Sequence, residues 1–194
     1  MREIANTFEE EINPMSAIEK EMETNTSHQV GASANARAAA LAERMEEGAA
    51  LLADFAEGLS DEQWRTPVSN SDRRTVGVIV HHVASMYPLE IEAARTIASG
   101  QAMTDVTWEA IAELNAGHAR EQADVTKAAA LELLRRNSRE AAAALRAFTD
   151  DELDTAAPFS LSYGAPVTAQ FVIEDHALRH SWHHLARIRK TLGL

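Results

Sequence analysis

Four stretches of this chain space their apolar residues three and four positions apart. That pattern admits little besides helices packed side by side. Leu41, Met45, Gly48, Leu52, Phe55 and Leu59 form one stripe, and Val78, Ile79, His82, Met86 and Leu89 form a second. Leu131, Leu134, Ser138, Ala141, Leu145 and Phe148 form a third, and Ile173, His176 or Ala177, His180, His184 and Ile188 a fourth. Residues at this spacing share one face of an α-helix, and helices with one apolar face pair into bundles. The stripes predict helices over 34–58, 75–98, 126–148 and 166–192. A shorter helix over 106–121 falls between the second and third, with Trp108, Ile111, Asn115 and His118 on one side. The expected fold class is all-α.

Local signals set the boundaries. "SDEQ" at 60–63 and "TDDE" at 149–152 are capping boxes, and Trp64 follows the first as an anchor. Pro88 lies inside the second helix, where a missing N–H should kink or break it. "RTPVSNSDRR" reads as a loop and "PFSLSYGAP" as a turn-rich linker. Pro166 then suits the first position of the last helix, which stops at Gly193. Residues 1–32 are acidic and broken by Pro14, "TNTS" and Gly31; Ile4, Phe8 and Ile12 would make one short amphipathic stretch. We expect a mobile tail or a docked short helix there, and one domain over 33–194.

The formal net charge of −12 argues against a nucleic-acid partner, because such affinity rests largely on neutralised phosphates. "LRRN" and "RIRK" are too short to form a basic patch. The same acidity argues against an anionic membrane surface. "MREIANTFEEEINP" lacks the apolar run of a signal peptide or membrane span, so the expected compartment is the cytoplasm. Arginine outnumbers lysine and alanine is abundant, a composition of GC-rich bacterial genomes. The chain has no cysteine, so any metal must be held by imidazole, carboxylate or water, and any thiol must come from outside.

Four of the eight histidines fall in "HALRHSWHHLARI", and "HH" at His81 and His82 interrupts the second stripe. Residues four apart on a helix lie one above the other, so His176 with His180, or His180 with His184, could share one ion. His176 and His184 are roughly 12 Å apart at about 1.5 Å per residue, too far for both to reach it. His183 neighbours Arg179, Arg187 and Lys190 and is expected in solvent. On the second helix His82 lies in line with Ile79 and Met86, and is the inward one of its pair. An inward imidazole facing an H-x-x-x-H pair gives three neutral nitrogens around a divalent ion, with a fourth position open. The plainer reading is a helix surface or core that happens to carry histidines.

The motifs do not stand alone. "TVGVIVHHVASMY" resembles the second helix of the DinB-like family, with its ligand histidine seven residues after the starting Thr, here His82 after Thr75. "HSWHHLARIR" is similar to the family's last helix, with His180, His184, Arg187 and Ile188 in the patterned positions; Arg187 stands where glutamine is frequent. "ELNAGHAREQADVTKAAALELLRRN" and "FTDDELD" are similar to the maleylpyruvate-isomerase-like branch of that superfamily. The resemblance spans roughly residues 34–192. It implies a four-helix bundle of DinB-like type, with the extra short helix between bundle helices two and three. It also implies a divalent metal, zinc or nickel, held by His82, His180 and His184, and an external low-molecular-weight thiol such as mycothiol.

The activity that this resemblance implies is that of an S-transferase or isomerase acting on a small electrophile. The alternatives are metal-assisted hydrolysis and a non-catalytic metal- or ligand-binding bundle. Glu174, Asp175 and His176 are candidates for acid–base work or for holding the outer nitrogens of the ligands. His176, one turn from His180, is the first choice. Asn115, His118 and Arg187 are candidates for binding a cosubstrate, Asn115 and Arg187 through an anionic group. The sequence leaves the oligomeric state open; bundles of this kind often pair through an exposed helix face, which makes a homodimer one candidate assembly.

Overall fold

The computed structural model describes residues 35–194. The expected tail over 1–32 lies outside the described residues. Helix α1 (Ala36–Glu57) turns through α2 (Asp61–Trp64) into α3 (Val76–Ala98), followed by α4 (Trp108–Glu121), α5 (Lys127–Leu145) and α6 (Asp150–Asp154). A two-stranded hairpin, β1 (Ala156–Pro158) and β2 (Pro166–Thr168), leads into a C-terminal helical rod. The rod joins α7 (Ala169–Val172), a π-helical stretch (Ile173–Leu178) and α8 (Arg179–Leu192). Helices α1 and α3 each pack against both α5 and this rod, which makes the four-helix bundle.

The stripes are the core. Met45, Leu52, Ile79, Leu134, Leu145, Ile173 and Ile188 are fully buried. Leu89 departs from expectation: it is 52% exposed, beside the equally unburied α4. Both capping boxes form as expected, and the Trp64 indole donates to the Val125 carbonyl at 3.0 Å. Gly48 lets α8 come close to α1, because the Trp182 ring occupies the space a Cβ there would need. No helix of the described residues is long and apolar enough to cross a membrane.

Pro88 does not break α3, which runs through it to Ala98. The proline cannot donate to the Ala84 carbonyl four residues back, and a buried carbonyl without a donor costs about 1–3 kcal/mol. Asn137 on α5 supplies the donor, with Nδ2 at 2.8 Å from the Ala84 oxygen. A side chain from the neighbouring helix thus replaces the lost backbone bond.

The C-terminal rod corrects two further expectations. Pro166 does not start it. Pro166 lies in β2, paired with Pro158, and the helix begins after Thr168, whose hydroxyl accepts from the Phe171 N–H at 3.1 Å. The linker "PFSLSYGAP" is the hairpin connection, turned by Tyr163 at φ 57° and Gly164 at φ 79°. Nor is the rod regular. Residues Ile173–Leu178 bond in the wider i→i+5 pattern, so residues four apart no longer stack. His176, within this stretch, is not one of the imidazoles that gather with His82, and its ring meets Phe159 edge-on at 5.7 Å.

Candidate metal centre

Thr75 caps α3, accepting from the Val78 N–H at 3.3 Å. The first turns of the helix are buried from Val76 to Val80, and they carry His82 inward at 5% exposure. Opposite, α8 presents His180 and His184 on one face. The Nε2 atoms of His82 and His180 are 3.2 Å apart, and one nitrogen from each of His82, His180 and His184 lies within 4.8 Å of the others. Two nitrogens at tetrahedral corners, each about 2.0–2.1 Å from zinc, would be about 3.3 Å apart. His184 is 6% exposed, and its Nδ1 is buried with no hydrogen-bond partner among the described residues.

The protonation states suit ligation. Burial, then repulsion from His180, holds His82 down to about 3 and His184 to about 2. Both are therefore neutral near pH 7, the form that offers a lone pair. His180 Nδ1 meets Glu90 Oε1 at 2.6 Å, so the carboxylate accepts the Nδ1 proton and leaves Nε2 free to face His82. Next to it the Tyr87 and Ser181 hydroxyls join at 2.6 Å in the buried seam between α3 and α8. Burial pushes the Tyr87 phenol well above its usual range, so it stays protonated. The donor set, the spacing and the neutral imidazoles all fit a divalent ion.

Glu90 is the residue that motif spacing missed. It sits eight residues after His82 on the same face of α3 and is 7% exposed; the signal available in the sequence was an acid on the apolar face of a helix. The outer nitrogen of a ligand histidine was expected to find Glu174, Asp175 or His176. Instead Glu174 pairs with Arg44 at 3.4 Å, and Asp175 with Arg179 at 3.4 Å. His176 lies 3.9 Å from the Asp175 carboxylate. Asp175 and His176 do line a cleft of about 220 Å³ with Glu90, Trp108, His180 and His184. Carboxylates that orient ligand histidines typically carry 10- to 100-fold in metal affinity. Glu90→Gln is accordingly expected to weaken zinc binding by about that factor in competition with a chromophoric chelator. Unchanged affinity would remove Glu90 from the centre.

The remaining candidates are distributed around the same end of the bundle. His118 on α4 meets His81 through Nε2 and Nδ1 at 2.8 Å, and its ring lies 5.6 Å from that of His82. Asn115 and His118 line a second cleft, of about 280 Å³, with His82, Met86, Leu89 and Leu114. The Asn115 Oδ1 and the His118 Nδ1 have no hydrogen-bond partner among the described residues. Arg187 is paired with Asp72 at 2.9 Å, and His183 is exposed as expected. The hairpin steers this neighbourhood: the backbone of Met103 pairs with Pro158 and Ser160, which brings the chain into α4.

Similarity to known proteins agrees with the fold. Among curated proteins none matches the sequence. Of solved structures, one similar chain is YfiT from Bacillus subtilis, described as "a probable metal-dependent hydrolase with an unusual four-helix bundle topology". The two share 22% identity at a TM-score of 0.63, over 78% of this chain and 83% of YfiT. The sequence model of the DinB superfamily matches residues 25–188, and the chain belongs to that superfamily.

Proposed function

We propose that the chain is a divalent-metal-dependent enzyme that uses an external low-molecular-weight thiol to transfer to, or isomerise, a small electrophile. The observation that carries the metal-dependent reading is the three-imidazole group itself. No carboxylate or further histidine among the described residues joins it, and a set of three imidazoles supports a catalytic rather than a structural centre. A bound divalent ion would supply Lewis acidity, lowering the pKa of a coordinated thiol or water towards neutrality. With no cysteine in the chain, a thiolate at this site has to be supplied from outside.

The protein's own part is positioning and proton handling. Glu90 holds His180 in one tautomer, and burial keeps His82 and His184 neutral. Met86, Leu89 and Leu114 offer apolar walls to a substrate beside His82, with the Asn115 and His118 side chains lining the same cleft. On the other side His176, against Asp175, is our acid–base candidate, in the cleft that reaches His180 and His184. Glu174, engaged by Arg44, is left a supporting role.

A second reading, hydrolysis by coordinated water, is favoured by the description of YfiT and uses the same open position. The two separate in one assay. The zinc-loaded protein is given an alkylating electrophile and an activated ester, each with and without a small thiol. Electrophile consumption that needs both metal and thiol supports the transferase reading. Ester hydrolysis that needs metal alone supports the second and overturns the first.

A further inference from the structure

The cleft of about 280 Å³ between α3 and α4 has a lining that packing of the bundle does not account for. Leu89 on α3 and Leu114 on α4 both face it, and they are 52% and 46% exposed. Leu89 continues the apolar stripe of α3 but stays in water. Helix α4 has no buried residue, so Leu114 is not there to fill the core. Large apolar side chains left in water around a concave space are a common mark of a small-molecule site. The walls are tied in place as well. His118 meets His81 at 2.8 Å and so joins α4 to α3. The Met103 N–H donates to the Pro158 carbonyl at 2.9 Å just ahead of α4, and the Trp64 indole holds the Val125 carbonyl at 3.0 Å just beyond it.

This cleft adjoins the three-histidine group. His82 is part of its lining, and the His118 ring lies 5.6 Å from that of His82. Among the described residues that line it, Glu121 is the one acid, and there is no lysine or arginine. An anionic group placed there would meet a like charge and no counter-charge, and a charge taken out of water unpaired is costly. The cleft that reaches His180 and His184 has the opposite character, since Glu90, Asp175 and Arg179 line it. The two sides of the histidine group thus differ in chemistry, one apolar and one charged.

Resting on the metal-and-thiol reading above, we propose that the electrophile is an uncharged molecule with an apolar body, and that Leu89 and Leu114 select it by enclosing that body in the α3–α4 cleft beside His82. Hydrocarbon contact, rather than an ion pair, then sets the substrate class. The same contact holds the electrophile next to the three-histidine group.

The test titrates 1-butanol, 1-pentanol, 1-hexanol and hexanoate into the cobalt-loaded protein and follows the proton relaxation of each compound, with zinc-loaded protein as the diamagnetic control. Cobalt should relax the protons of a bound alcohol, because the cleft adjoins His82. Affinity should rise about fourfold with each methylene from butanol to hexanol, and hexanoate should bind about tenfold more weakly than hexanol. Leu114→Ser and Leu89→Ser should each weaken hexanol by about three- to tenfold. Both positions are half exposed, so the variants should fold. Leu51→Ser, at another exposed leucine on α1 and outside the cleft, should change the affinity by less than about twofold. Affinity that does not grow with chain length, hexanoate bound as tightly as hexanol, an equal loss in Leu51→Ser, or binding without relaxation by cobalt would each overturn the proposal. Failure of the metal reading is distinguishable, as protein that takes up no cobalt, and it removes the substrate assignment with it.

Discussion

Zinc at about a thousand times its dissociation constant should raise the thermal midpoint of the wild-type chain by about 8–16 °C, and leave His180→Ala nearly unmoved. The argument is mass action. A ligand that binds only the folded state stabilises it by about 4 kcal/mol at that excess. For a domain of this size each kcal/mol moves the midpoint by about 2–4 °C. His180 is the informative position, because its Nε2 faces His82 and its Nδ1 is held by Glu90. Removing it takes away one donor and the carboxylate's hold on the centre together. Calorimetry with and without zinc measures the effect. An equal shift in the variant would place the zinc elsewhere on the protein.

The metal-free protein should lose stability as pH falls below about 6.5, and this is the second large effect. In the unfolded chain a histidine binds its proton near pH 6.5. In the folded protein His82 waits until about 3 and His184 until about 2, because burial and then the neighbouring His180 disfavour the charge. Between those limits the unfolded state holds more protons, so acid favours unfolding. The slope is about 1.4 kcal/mol per pH unit for each histidine, or about 2.7 for the pair. Two units would remove about 5 kcal/mol, comparable with the whole stability of a small domain. Above about pH 6.5 the two residues contribute no pH dependence. Urea unfolding at about pH 7 and about pH 5, on wild type and His82→Leu, reads the slope and its loss. A flat profile in the wild type would mean that the imidazoles reach water.

The parts of this fold that are legible in the amino-acid sequence are those written in periodicity. The stripe through Leu131, Leu134 and Leu145 is buried as its spacing requires. The same reasoning turns His82 inward rather than His81, since Ile79 and Met86 share its face. What escapes depends on contacts between elements. The continuity of α3 through Pro88 needs Asn137 from another helix. The π-helical turn leaves no period in "IEDHAL", and His176 within it lies outside the group of His82, His180 and His184. Glu90 is visible only as an acid on an apolar face. Asp72, the partner of Arg187, lies in a loop, where no spacing rule says which way a side chain turns.

The most direct test is the metal content of protein purified without a histidine tag, for the wild type, His82→Ala and His184→Ala. His82 and His184 lie on different helices, so one ion lost from both variants would be shared between them. The account predicts about one equivalent of zinc or nickel in the wild type and almost none in either variant. A wild type that stays metal-free after reconstitution, or variants that keep a full equivalent, would contradict it.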